Sequence, residues 1–293
     1  MKKYFAPSEL IINPDGSSFH LHITPQQVAD KVIMCGDPDR VTLIASHFDD
    51  KECDVSSREF HTITGTYKGK RITCISHGIG CDNIDIVVNE LDALKNIDFN
   101  TREEKDQLTS MDMVRIGTCG GLQENTPTGT FILSEKSIGI EGLLNYYADR
   151  DKICDLEFEK AFTEHLGWDY HNLPSPYVVN NSQKMIDRLY SPEYGMVKGV
   201  TISCGGFYGP QGRELRIPLS NPNRNEKIEN FEWNGYRITN FEMESAALAG
   251  LSAHLGHNAV TVCMVIANRI AHEANTGYKN QIDDLIRIVL EKI

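Results

Sequence analysis

The sequence predicts an α/β fold: a single three-layer domain over residues 1–293, with a central mixed, largely parallel sheet flanked by helices. Three observations lead there. Short β-branched apolar runs alternate with helical patterns along the whole chain, which is the signature of a sheet covered by helices on both faces. Neither an internal repeat nor a low-complexity linker divides the chain. Its 293 residues, 40% hydrophobic and 24% charged, are enough to bury one sizeable core.

The elements follow in order. KVIMC at 31–35 is the first strand, running into Gly36 and a D-P-D turn, with a helix over 38–48 that carries Arg40 on its first turn. SSREFHTITG places Arg58 before an edge-like strand, RITCIS at 71–76 is the next strand, and a helix follows over 82–97. The charged stretch 98–110 reads as a solvated excursion, because its charges could not be buried cheaply. DMVRIG at 112–117 and TFILSE at 130–135 are strands, followed by helices over 154–166 and 181–190 and by the strand VKGVTIS at 198–203. The Pro-, Asn- and Gly-rich region 205–236 is long for a loop, as binding loops and lids often are. A helix over 242–256, the strand AVTVCMVIA at 259–267 and a helix over 278–292 complete the pattern.

Charge narrows the function. With 29 basic against 41 acidic residues, the formal charge of -12 argues against a nucleic-acid partner or an anionic membrane surface. Any anion it binds must meet a local cluster of arginines. Two lysines near the start are followed by no sustained apolar stretch, and no later segment has the length of a membrane span, so a soluble cytoplasmic protein is expected. The eight cysteines form no C-x-x-C pair and the ten histidines show no ligand spacing. Buried reduced thiols are expected, with no metal and no organic cofactor.

Four stretches carry chemistry. Gly36 at a strand end lets backbone amides approach a ligand, and Arg40 on the following helix turn favours an anion; an Asp-capped helix start with a surface arginine would read the same way. In RIGTCGG, Arg115 lies inside an apolar strand and needs an anionic partner, either a ligand or an internal acid, with Thr118, Cys119, Gly120 and Gly121 after it. NFEMESAALAG puts Glu242 and Glu244 at the start of a helix, as dipole compensation or as acceptors for ligand hydroxyls. In GFYGPQGRELR, Gln211 and Arg213 stand two apart, so an extended backbone would point both the same way, with Gly212 leaving room; a solvated loop is the alternative.

Taken together and in order, CGDPDRV, SREFHT, SHGIG, RIGTCGG, FYGPQGR and NFEMES resemble the nucleoside phosphorylase family over roughly 18–270, and the Q-x-R after F-Y is similar to its uridine-cleaving branch. The resemblance implies a nucleoside phosphorylase-like fold that cleaves the N-glycosidic bond of uridine with inorganic phosphate as co-substrate, in pyrimidine salvage, with deoxyuridine or thymidine as further substrates. It assigns phosphate to Gly36, Arg40, Arg115 and Thr118, next to Cys119 and Gly120, with Arg58 donated across a dimer interface. Ribose falls to Met243 and Glu244, and to His20 of FHLHIT, with His22 as its neighbour, reaching the 5′ hydroxyl from another subunit. The base falls to Gln211 and Arg213, with Phe207 stacking and Arg269 assisting through water; Arg115, Glu244, Gln211 and Arg213 are the implied catalytic set.

Relatives that cleave purines use an aspartate where this chain has Ala267-Asn268-Arg269, and nucleosidases lack the arginine cluster. A purine phosphorylase, or a non-catalytic nucleoside-binding protein on the same fold, remains the alternative. Glu59 and Ile79 match a monovalent-cation site found at the family's dimer interface, whereas Cys81 and Asn83 replace the Gly and Ser of many bacterial members. A homodimer, or a hexamer built as a trimer of dimers, is the implied assembly.

Overall fold

The computed structural model describes residues 2–268, 273–274 and 277–293. Its first half runs β1 (Lys31–Cys35), α1 (Pro38–Ala45), β2 (Asp50–Ser57), β3 (Phe60–Tyr67), β4 (Lys70–Ser76), α2 (Cys81–Asn96), β5 (Ile97–Asp98), β6 (Glu103–Glu104), β7 (Asp112–Gly121) and β8 (Phe131–Gly139). The second half runs α3 (Leu156–Leu166), β9 (Tyr177–Asn180), α4 (Gln183–Leu189), β10 (Val197–Ser203), α5 (Arg224–Glu229), β11 (Glu232–Trp233), β12 (Tyr236–Glu242), α6 (Ser245–Leu255), β13 (Asn258–Asn268), β14 (Glu273–Ala274) and α7 (Lys279–Lys292).

The large sheet has the order β11-β12-β10-β8-β13-β7-β1-β4-β3-β2, with β9 on β8 and β14 on β13. Its pairs β12/β10, β10/β8, β13/β7, β7/β1 and β1/β4 are parallel, and the others along this path are antiparallel, so the sheet is mixed with a largely parallel centre. Alternate residues of a strand face opposite sides, and β1 shows the result. Ile33 and Cys35 pack with α1, α4 and α7, while Val32 and Met34 pack with α2 and α6. Both faces are covered by helix, which is why the strand is apolar from Val32 to Cys35.

One pairing matters most for the site. β12 also pairs with the end of β7, Asn240 opposite Gly121 and Phe241 opposite Gly120, so the five strands β12, β10, β8, β13 and β7 close on themselves. That closure brings the T-C-G-G end of β7 against the entry to α6.

The strands and helices read from the sequence are present, with the edge-like strand after Arg58 found inside the sheet as β3, between β4 and β2, and with several ends moved: α1 stops at Ala45, β7 runs on to Gly121 and β8 to Gly139. Glu242 is the last residue of β12 rather than the first turn of a helix, and α6 begins at Ser245. Thr239, Asn240 and Glu242 disguise the strand as loop, yet their oxygens find partners inside: Thr239 donates to Val200 O at 2.9 Å, and Asn240 Oδ1 accepts from Thr201 at 3.0 Å. β2 was hidden for the opposite reason. Its DKECDVSS is a mostly exposed, charged edge strand, a composition that discourages edge-to-edge association. Among the described residues no helix is long and apolar enough to cross a membrane.

Just beyond β8, Glu141 accepts a hydrogen bond from the Tyr177 hydroxyl, while its Oε2 is buried with no partner among the described residues. Burial raises its pKa to about 7, against the opposing bond from Tyr177. The folded state therefore holds a proton that the unfolded chain releases in the ordinary carboxylate range, so this group's contribution to stability is present at low pH and is lost as pH rises to about 7. Glu141→Gln is expected to flatten the fall in melting temperature between pH 5 and pH 8, and equal slopes in the two proteins would contradict this.

Candidate active site

A cavity of about 570 Å³ lies at the carboxyl ends of β1, β7 and β12 and beside the last turn of β13. Crevices outside the carboxyl ends of strands are where α/β sheets bind ligands. A polar cavity of about 710 Å³ elsewhere lacks converging arginines, and a groove of about 1350 Å³ adjoins the site by sharing Arg213.

The anion end is built by β1, α1 and β7. Asp37 caps α1 by accepting from Asp39 N at 3.0 Å and Pro38 opens the helix, as the D-P-D turn suggested. Arg40, however, is no surface arginine: it is 8% exposed, and Nη1 donates to Ile116 O at 3.1 Å. Among the described residues it makes no ion pair. A buried guanidinium whose only fixed partner is a carbonyl oxygen calls for an anion, because leaving it uncompensated costs several kcal/mol. Gly36 allows the crowding here, since a Cβ on it would lie 2.9 Å from Gly78 O.

Arg115 joins this end to the next. It is 4% exposed; Nη1 lies 2.9 Å from Glu242 Oε2, Nη2 pairs with Glu244 Oε2, and Nε donates to His77 Nε2 at 3.2 Å. Burial opposes its charge, but Glu244 and Glu242 outweigh burial and raise its pKa. His77 is fully buried, and burial, then Arg115, then Arg40 hold it well below the usual imidazole range. It is therefore neutral and accepts through Nε2. The internal-acid partner weighed for Arg115 exists, and it is both glutamates at once.

The two glutamates differ in what remains available. Glu242 accepts from Ser203 Oγ at 2.6 Å, Ser245 Oγ at 2.8 Å, Ser245 N at 2.9 Å and Glu244 N at 2.9 Å besides Arg115, so its lone pairs are spent inside the protein. Glu244, 5% exposed, accepts one backbone bond from Gly80 N at 2.8 Å and the pair with Arg115. Burial raises its pKa, Arg115 opposes and Glu242 adds to the rise. Both carboxylates and Met243 line the cavity, and Glu244 is the one with acceptor capacity left for a ligand hydroxyl.

Gln211 and Arg213 do converge, though not through an extended backbone. Gly209–Gln211 is a 3-10 turn with Pro210 inside it, and Gly212 follows at φ 68. Arg213 Nη1 then donates to Gln211 Oε1 at 2.5 Å and to Phe207 O at 2.6 Å, and its guanidinium lies 3.8 Å over the Phe207 ring. One face of Phe207, the stacking candidate, thus already carries Arg213. Thr118, Cys119 and Gly120 line the floor between the two ends. Arg115 lies beside Gly117 and Arg213 above Gly120, a spacing of three strand residues or roughly 10 Å.

Arg58 and His20 are not brought in, nor is His22. Arg58 is exposed at the β2–β3 turn with φ 56, its guanidinium 5.7 Å over Phe19. His20 contacts Glu90 at 2.5 Å, outside the cavity, and His22 is exposed. Arg269 lies outside the described residues. Among the described residues no group of three or more potential ligands is placed to hold a metal.

The model of the phosphorylase superfamily matches residues 30–292. The chain belongs to the phosphorylase superfamily. Within that superfamily it is 30% identical, over 93% of this chain and 85% of the relative, to a protein of Thermococcus kodakarensis named uridine phosphorylase. Among solved structures it superimposes on a Trypanosoma brucei nucleoside phosphorylase described as showing uridine phosphorylase activity, with a TM-score of 0.87 and 29% identity over 97% of this chain and 98% of that one. A Toxoplasma gondii purine nucleoside phosphorylase shares the fold, with a TM-score of 0.64 and 18% identity over 94% of each chain.

S-H-G-I-G by itself gives His77 no role, and nothing in the sequence marks Tyr278 and Ile266 as lining residues. A histidine ending an apolar strand between Ser and Gly was the available sign for the first. A bulge between Val265 and Ala267 turns both Ile266 and Ala267 to the cavity, and no sequence pattern marks it. Tyr278 stands just ahead of α7, where nothing in the sequence signals a ligand.

Proposed function

We propose that this chain catalyses phosphorolysis of uridine to uracil and ribose 1-phosphate. Buried Arg40, with no counter-anion among the described residues, carries the phosphate part of this reading. Phosphate held by Arg40 and Arg115 attacks C1′ as the C1′–N1 bond breaks. The bonding electrons leave with the base, whose negative charge spreads to O2 and O4, where Gln211 and Arg213 are preorganised to meet it. Glu244 holds the ribose hydroxyls and stabilises the ring as it becomes cationic. The names of the Thermococcus and Trypanosoma relatives support the same substrate.

Residues 267–269 hold no aspartate to protonate a purine, and Asn268, at the end of β13, commits its amide nitrogen to Gln123 O at 3.0 Å and Thr126 O at 2.7 Å. That favours pyrimidine over purine. The proposal needs no cofactor, phosphate being the co-substrate, and includes a homo-oligomer: the positions of Arg58 and His20 outside this chain's own cavity fit donation to a partner's site. Uracil release from uridine is expected only with phosphate, and faster than base release from inosine, with thymidine and deoxyuridine assayed alongside. Release without phosphate, or inosine turning over faster, overturns the reading.

A further inference from the structure

Gln211 and Arg213 belong to a stretch with little hold on the core. Between residues 205 and 227, Gln211 alone among the described residues is buried, and Tyr208, Leu215 and Ile217 are 54%, 71% and 82% exposed. An exposed segment does not by itself present two side chains in one geometry. What fixes this one comes from the start of α5.

The three residues of the 3-10 turn direct their carbonyl groups, one after another, at two adjacent side chains. Arg224 Nη2 donates to Gly209 O at 3.0 Å and to Pro210 O at 2.6 Å, and Asn225 Nδ2 donates to Gln211 O at 3.1 Å. Asn225 also fills the space beside Gly212, where a Cβ would lie 2.3 Å from Nδ2. The room left by Gly212 is therefore taken by this amide. α5 is in turn anchored: Ile228 and Phe231 are buried, Phe231 packs on Phe158 and Phe162 of α3 at 5.4 and 5.6 Å, and Lys227 Nζ donates to Leu166 O at 2.9 Å.

We infer that Arg224 and Asn225 are positioning residues for base recognition, holding the Gln211–Arg213 pair in register from a helix fixed in the core. This rests on the uridine reading above, and the two can fail separately. Without the bonds to Gly209 and Pro210 the turn samples other conformations, and the bound nucleoside must select the competent one, which raises its apparent KM. Phosphate binding, held by α1 and β7, is not linked to that turn.

The test measures KM for uridine and for phosphate, kcat and melting temperature on the full chain carrying Arg224→Ala, Arg224→Lys and Asn225→Ala. Loss of bonds from a charged donor predicts a KM for uridine about 10-fold higher in Arg224→Ala, a smaller rise in Asn225→Ala, and a phosphate KM within about twofold of the unaltered protein. Arg224→Lys, which keeps a cation at the same carbonyls, is expected to recover most of the loss. Active unaltered protein with an unchanged uridine KM in Arg224→Ala overturns the inference, as does an equal rise for uridine and phosphate. If Arg224→Ala does not fold, a uridine KM unchanged in Asn225→Ala overturns it equally. Unaltered protein that releases no uracil from uridine overturns the functional reading instead.

Discussion

Glu244→Ala is expected to lower kcat for uridine phosphorolysis by about 10²- to 10³-fold while the protein stays folded, the size of loss seen when one transition-state partner is removed. The fold should survive because Arg115 keeps its contact to Glu242 at 2.9 Å, and among the described residues the Gly80 N–H is the one backbone group that loses its acceptor, the Glu244 carboxylate. Glu242→Ala is the contrasting variant. It strips the acceptor from the Ser203 and Ser245 hydroxyls and from two backbone amides, each buried donor costing about 1–3 kcal/mol, so its main effect is a lower melting temperature. Near-normal turnover in Glu244→Ala, or a stability loss there as large as in Glu242→Ala, would exchange the two roles. The pH profile gives a second reading. Burial raises the Glu244 pKa even against Arg115, so if its ionised form holds the ribose, activity rises with pH through an acid limb above the ordinary carboxylate range. Glu244→Gln should lose that limb.

How much of this was visible beforehand depended on how local each cause is. β1, β7 and β13 announced themselves because a strand covered on both faces carries apolar runs such as Val32–Cys35 and Val262–Ala267. β12 did not, because Asn240 Oδ1 and the Glu242 carboxylate take their hydrogen bonds from Thr201, Ser203 and Ser245, partners that the chain brings together only on folding. The same division holds in the site. Gly36, Arg40, Arg115, Gln211, Arg213 and Glu244 sit in short motifs whose spacing can be read, and all six line one cavity. What no spacing could show was that Arg115 bridges both glutamates, that Arg213 covers Phe207, or that Arg224 holds the turn of Gln211. Those are contacts between residues 6 to 129 positions apart, set by how β7 meets β12 and α5 meets the loop.

Arg115→Met should bring the largest combined loss, because one guanidinium serves four neighbours, Cys263 Sγ at 3.6 Å among them. It spans Glu242 and Glu244 and donates to neutral His77, while facing the cavity where Arg40 waits for an anion. Removing one partner of a buried ion pair costs about 3–5 kcal/mol, since the remaining charge is stranded. Here two carboxylates would face each other with no cation between them, and one would have to bind a proton. A melting temperature well below that of the unaltered protein is expected, together with a phosphate KM raised by at least about 10-fold and a further loss in kcat. Arg115→Lys separates the causes. Its ammonium restores a charge, so stability should partly return, but a point charge cannot hold both glutamates and still present a second fork to phosphate, so the phosphate KM should stay high. Recovery of phosphate affinity with lysine would mean that the charge alone matters and that the bridge between the two carboxylates is incidental to catalysis. Unchanged stability in Arg115→Met would remove the bridge itself.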